Sequence, residues 1–233
     1  MHHVVVERWS RRSSFLHARD ARAKLCVLLV FLVAVSTTPP GARQTVAAYA
    51  VLIAMAALAS RLPIRGLVAR AALVLPFSAT FALMTWWMGD PERAIHLAAK
   101  AFLSTFGALL LVATTPITEL SAALDAVRVP RTLVLVIQFL YRYLFVISEQ
   151  AQHMRLAAMA RGGRRRSRFQ AAAGALGVLF ARSWERADSI YNAMLARGFR
   201  GRMQPVTRPH FHRADFVFLY LSVVACIGAR VLL

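Results

Sequence analysis

Lysine is nearly absent, with Lys24 and Lys100 the only two in 233 residues. Neither follows a glycine-rich stretch, which excludes a phosphate-binding loop of the Walker type and ATP hydrolysis by that route. Acidic residues are scarce as well, 10 against 29 Lys+Arg, and charged residues make up only 17% of the chain. Soluble chains average about 25% charged, so the usual mixed-charge solvated surface is missing. The two cysteines, Cys26 and Cys226, lie near opposite ends inside apolar runs, which excludes a disulfide scaffold. A hydrophobic fraction of 58% excludes disorder. What remains is a chain both apolar, with mean hydropathy +0.54, and basic, with a formal net charge of +19. That pairing points to a membrane protein with basic segments on one side.

The apolar runs are Leu25 to Val35, Val46 to Ala59, Leu67 to Met88, Ala94 to Ala113, Thr132 to Ile147 and Phe216 to Leu233. A helical crossing takes about 20 apolar residues. The third and fourth runs meet that directly, and the first two reach it with Arg22 and Lys24 snorkelling and with Thr45 and Ser60 in the headgroups. No clear small-residue cleavage site follows the first run, so no cleavable signal is expected.

Short cytoplasmic loops carry excess Lys and Arg, and six of these precede the first run, from Arg8 to Lys24. Arg61, Arg65 and Arg70 surround the second connection, whereas the first and third hold only Arg43 and Arg93. Sixteen arginines lie between Arg128 and Arg213. The N-terminus is therefore expected in the cytoplasm, and four spans return the arginine-rich stretch there. If Thr132 to Ile147 crossed, Arg155 to Arg168 would lie outside, and Gln138 and Arg142 would need partners within the bilayer. It is read as a helix at the cytoplasmic interface. The expected organisation is an all-α membrane protein of about five transmembrane helices with a cytoplasmic coupling arm of long helices. Residues 1–24 are cytoplasmic, 25–114 hold four spans, 115–214 the coupling helices and 215–233 the last span; six spans is the alternative.

Two arm helices follow from the pattern. The first starts after Pro130, which presets the first turn, and meets no Gly or Pro before Gly162. The second carries Phe169, Ala173, Leu176, Phe180, Trp184, Ala187, Tyr191 and Leu195 on one stripe, with Arg182, Glu185, Arg186 and Ser189 on the other side. They end alike, in Ala160-Arg161-Gly162 and Ala196-Arg197-Gly198. Glycine past the last turn and arginine within it are ordinary capping features. Capping does not demand the same triplet twice, so the repeat points to a repeated partner. Alanine keeps the tip thin, glycine turns the backbone away, and the guanidinium offers a planar fork for a carboxylate or carbonyls. The block Arg164-Arg165-Arg166-Ser167-Arg168 fits lipid headgroups or a solvated turn instead.

Nothing in the chain assembles a catalytic or metal-binding constellation. The seven histidines have no cysteine partner and no i, i+4 pairing, and His210-x-His212 is read as ring packing at the membrane edge. Asp90-Pro91-Glu92 reads as a helix start. Nucleic-acid binding lacks any reader motif, and the charge map accounts for the arginines without it.

Several segments together resemble the transmembrane T component of energy-coupling factor (ECF) transporters, most closely the CbiQ type of cobalt or nickel importers. They are Asp20-Ala21-Arg22-Ala23-Lys24-Leu25, Thr114-Thr115-Pro116, Arg128-Val129-Pro130, Tyr141-Arg142-Tyr143-Leu144-Phe145 and, above all, the two Ala-Arg-Gly triplets in order after four spans. The resemblance implies a non-catalytic subunit in the bacterial plasma (inner) membrane that joins two ABC ATPases to a substrate-binding membrane S component. ATP would be bound by those ATPases, and this chain would hold no cofactor, metal or substrate. Residues Ala160, Arg161, Gly162, Ala196, Arg197 and Gly198 would dock in the ATPases. The stripe from Phe169 to Leu195 and the surface around Thr132 to Ile147 would hold the S component. A self-contained permease and a basic lipid-surface protein are the competing readings.

Overall fold

The computed structural model describes residues 14, 16–127, 129–160, 168–201 and 211–231, with the side chains of 168–171 and 231 left aside. The described residues are helical, without strands, and form two units: Met1–Ala126 with Arg208–Leu233, and Val127–Thr207. The helices of the first unit are α1 (Ala21–Thr37), α2 (Arg43–Ala59), α3 (Ile64–Ala71), α4 (Leu75–Trp87), α5 (Pro91–Thr114), α6 (Ile117–Ala126) and α9 (Arg213–Val231). The second unit holds α7 (Arg131–Ala160) and α8 (Arg168–Ala196).

Local chemistry sets the helix ends of the first unit. Asp20 caps α1, its carboxylate accepting the Arg22 N–H at 2.8 Å. Pro91 opens α5, where its missing N–H is no loss, while Asp90 pairs with Arg93 at 3.1 Å. The run Leu67 to Met88 is one stretch by hydropathy but not one α-helix. Pro76 can donate no bond and crowds the carbonyl of Ala72, so a 3₁₀ turn at Ala72–Val74 separates α3 from α4.

α5 is the centre of this unit and packs against α1, α2, α3 and α4. Its buried Leu103, Phe106, Gly107, Leu110, Ala113 and Thr114 recur every three or four positions, which puts them on one face. Phe106, Leu110 and Ala113 pack with Ala57, Leu67 and Ala71, and Leu103 packs with Phe31, Val35, Tyr49 and Cys226. Gly107 sits where the helices approach most closely. A carbon on it would lie 3.2 Å from Ile53 Cδ1 and 3.3 Å from both Leu28 Cδ1 and Phe31 Cε1.

The outer surface of the unit is apolar. Val33, Leu58, Leu73, Phe77, Leu83, Met84 and Trp87 are all exposed, Trp87 at 89%. Large apolar side chains outside and around a packed interior are the arrangement a bilayer solvates. Among the described residues, three helical stretches are long and apolar enough to cross a membrane, Ile64–Trp87, Pro91–Thr114 and Arg131–Ala160, with Arg43–Ala59 a shorter apolar helix. The third of these contains the run expected at the interface. Length and composition alone permit it to cross, and the interfacial reading rests on the charge distribution.

Charged side chains organise the two ends of the first unit. At the α1 C-terminus, where the last carbonyls lack helical partners, Lys100 Nζ donates to Thr38 O at 2.5 Å and Ser36 O at 3.5 Å. Arg230 donates to Thr37 Oγ1 at 2.8 Å beside them. Each is a basic residue inside an apolar run, and both sit where the helix dipole favours positive charge. His96 Nε2 accepts the Gly41 N–H at 3.3 Å, and Arg43 pairs with Glu92 at 2.6 Å.

At the opposite end, α1, α5, α6 and α9 meet in a buried ionic cluster. Lys24 Nζ donates to Thr114 O at 3.1 Å and to His17 O at 3.4 Å. Asp215, only 2% exposed, accepts the Asp20 N–H at 3.1 Å on one oxygen and the His212 N–H at 3.0 Å on the other, with Arg19 at 3.9 Å. Glu119 faces Lys24, and burial raises its carboxyl above the ordinary range while Lys24 opposes the shift.

Candidate functional site

The second unit is built from its sequence punctuation. Pro130 accepts N–H bonds from Leu133 and Val134 at 2.9 and 3.3 Å and starts α7, whose 30 residues contain neither Gly nor Pro. α8 runs for 29 residues and ends at Ala196.

That helix end is resolved in its hydrogen bonds. The Gly198 N–H donates to Leu195 O at 2.9 Å, and the Phe199 N–H reaches back to Met194 O at 3.0 Å. Gly198 has φ +78°. The paired bonds around a left-handed residue form a Schellman cap, in which Gly198 is the left-handed position. Nothing lies within 4 Å of where a side-chain carbon at Gly198 would be, so glycine is demanded by the backbone angle and not by space. Ala196 and Arg197 are exposed, and the Arg197 side chain has no hydrogen bond or ion pair among the described residues. The cap accounts for the glycine of the triplet. It leaves the alanine and the outward-facing guanidinium unexplained by folding.

Replacing Gly198 with Ala forces a left-handed alanine at a cost of about 1–2 kcal/mol. Amide exchange at Gly198 and Phe199 is expected to speed up by about fivefold or more, with the rest of α8 unchanged. Unaltered exchange would show that this turn does not need glycine.

At the other tip, Ala160 is the last residue of α7, and Arg161 and Gly162 lie outside the described residues. Arg164 to Ser167 and His210 lie there too, whereas His212 is described and its N–H is held by Asp215.

The arm helices bury little of their apolar surface. On α8, Leu176, Phe180, Trp184, Tyr191 and Leu195 are exposed, with Phe180 at 71% and Trp184 at 72%. On α7, Leu133, Val136, Leu140 and Leu156 are exposed as well. The expected stripe is therefore present and uncovered by this unit. Between the two helices runs a groove of about 490 Å³, with Phe139, Leu140 and Tyr143 on the α7 side. Phe139 and Tyr143 stack at 6.2 Å. Arg182 and Arg186, both exposed, line the groove from α8. Their i, i+4 spacing was the available signal, since it puts both on one face.

Among the described residues no group of three or more His, Cys, Asp or Glu side chains is placed to hold a metal ion. The arrangement consists of one exposed arginine at a capped tip, an apolar stripe and a groove edged by two arginines.

Residues 12–207 match the sequence pattern of the CbiQ family, described as cobalt transport protein. The chain belongs to this family. It is an ECF-type T component of the CbiQ kind, and so a transmembrane component of a transporter. Among its relatives, the cobalt transport protein CbiQ of Rhodobacter capsulatus is 29% identical over 92% of this chain and 93% of its own length. An energy-coupling factor transporter transmembrane protein EcfT of Bacillus selenitireducens is 28% identical over 85% of this chain and 84% of its own. The nickel permease LarQ of Lactiplantibacillus plantarum is 27% identical over 63% of this chain and 54% of its own. The CbiQ match includes both Ala-Arg-Gly triplets and the whole of α7 and α8.

Proposed function

We propose that this chain is the coupling subunit of an ABC-type ECF importer, linking two cytoplasmic ATPases to a separate substrate-binding membrane subunit. The observation that carries the reading is the α8 tip, where a Schellman cap presents Ala196 and Arg197 outward with nothing in the described chain to receive them. The energy must come from elsewhere, because the sequence has no phosphate-binding loop of its own. The uncovered stripe around Phe180 and Trp184 suits an apolar membrane subunit. Cobalt or nickel is the cargo proposed from the names of the relatives. The arginine distribution supports an N-terminus and arm on the cytoplasmic side with five spans, and the membrane we propose is a bacterial plasma (inner) membrane.

In this mechanism ATP closes the ATPase pair, the tips at 160–162 and 196–198 move with it, and the arm reorients the substrate-binding subunit. The chain itself binds no cargo. The middle of its membrane unit is filled by Phe31, Tyr49, Leu103, Phe106 and Leu110, with the Tyr49 hydroxyl engaged by Cys226 O at 3.4 Å, which favours a scaffold over a self-contained permease. Calorimetry on the purified chain is expected to show no Co²⁺ or Ni²⁺ binding above background. A tight one-to-one site would place it with substrate-binding proteins instead.

A further inference from the structure

The segments Asp20 to Leu25 and Thr114 to Pro116, shared with the family pattern, have no part in the docking tips. The structure brings them together. The chain leaves the first unit after Ala126 and returns to it at residue 208, so two connections serve the arm. The outgoing one is preceded by α6 and the α5–α6 turn, where Lys24 donates to Thr114 O at 3.1 Å and Glu119 attracts the ammonium electrostatically. The returning one runs through His212 into α9, and Asp215 grips it through the His212 N–H. The two grips are joined, because Asp215 also holds the Asp20 N–H and Asp20 caps the helix that carries Lys24.

We propose that the Lys24–Asp20–Asp215 cluster is the fulcrum of the arm, pinning both of its connections at one buried site so that arm movement is passed to the membrane helices. The coupling part of this rests on the proposed function; the pinning part does not. Lys24 and Asp215 are positioning residues, remote from cargo and nucleotide.

Three features support the assignment. Lys24 and Asp215 are 5% and 2% exposed, and each buried charge is compensated by main-chain hydrogen bonds, Lys24 to two carbonyls and Asp215 from two N–H groups. Asp20 Oδ2, Arg22 Nε and Thr115 Oγ1 are buried at the same place without a hydrogen-bond partner among the described residues. Lys24, one residue before the first apolar run, is pushed down by burial to about 8 from its ordinary 10.5, against the pull of Glu119, Asp20 and Asp215. Arg19, Arg22 and His17 complete its charged and titratable surroundings.

The sign of the pH effect separates coupling from stability. Between about pH 8 and 10.5 the folded Lys24 binds fewer protons than the unfolded one, so rising pH favours the fold through this group. A loss of coupling through pH 8 is therefore expected without unfolding.

Two measurements test the proposal. Hydrogen exchange on the full chain in nanodiscs, without partners, compares wild type with Lys24→Met and Asp215→Asn. Peptides covering 116–126 and 211–220 are expected to lose protection together in each variant; loss confined to the connection nearest the substitution overturns the single-site pinning. The second measurement uses the complex purified through this chain and placed in proteoliposomes, reading Co²⁺ uptake per ATP hydrolysed. Lys24→Met is expected to keep its partners and its ATP hydrolysis while uptake per ATP falls about tenfold. In the wild type the ratio falls as pH rises through about 8, and Lys24→Arg, which keeps its charge, abolishes that fall. An unchanged ratio in Lys24→Met, or the same pH profile in Lys24→Arg, overturns the fulcrum. Wild-type chain that carries no ATPase at all overturns the parent reading, while the exchange result still decides the pinning.

Discussion

Reversing both tip arginines, Arg161→Glu with Arg197→Glu, is expected to leave the protein folded in the membrane and to remove the ATPases from it. Arg197 is exposed and engages nothing among the described residues, so its loss costs the fold little. In a docked complex each guanidinium would be a desolvated charged contact, worth about 2–5 kcal/mol when truncated, and reversal adds repulsion. Two such losses take a tight complex below detection in co-purification, and uptake ends with it. Arg155→Glu, set beside Arg197→Glu alone, is the control, because it makes the same charge change at an exposed position of α7 outside both triplets. If Arg155→Glu were as damaging as the tip reversals, the arm would be binding through net charge, as a lipid-surface protein does. If the double variant still carried the ATPases, the docking assignment would be wrong.

The second large effect is expected at Gly107→Leu. Three side-chain carbons already stand 3.2–3.3 Å from the position of a first added carbon. Alanine fits only if Ile53, Leu28 and Phe31 each give way by a few tenths of an ångström. Leucine adds three further carbons where α1, α2 and α5 meet, and overpacking of this kind costs about 1–3 kcal/mol or more. Close approach through small residues is how membrane helices gain contact, so the substitution separates α5 from two neighbours at once. Gly107→Leu should give little monodisperse protein in detergent, while Gly107→Ala remains purifiable with a lowered melting temperature. A Gly107→Leu protein with unchanged yield and melting temperature would refute this helix crossing.

The limits of the chain's legibility follow from the range of each interaction. α7 and α8 could be bounded in advance because Pro130 and Gly198 act on their own turns. The stripe through Phe180 and Trp184 was legible for the same reason, since helical period is local. Pro76 shows where a hydropathy run misleads: the residues on both sides are apolar, but the missing N–H divides the helix. Asp215 gave no signal at all. Its partner Asp20 is 195 positions away, and no spacing rule reaches that far. Lys100 and Arg230 read as stray charges in apolar segments until the α1 C-terminus was in place to receive them. That Arg182 and Arg186 also edge a groove was not legible, because a stripe of large residues marks one face of a helix without saying that a second face meets a neighbour.

The proposed role of this chain is to couple transport without itself transporting. Its most direct test is Co²⁺ uptake by proteoliposomes holding the chain alone, beside proteoliposomes holding it with its co-purified ATPases and substrate-binding subunit. The account predicts no uptake by the chain alone and ATP-dependent uptake by the complex. Uptake by the chain alone, at a rate comparable to the complex, would contradict it.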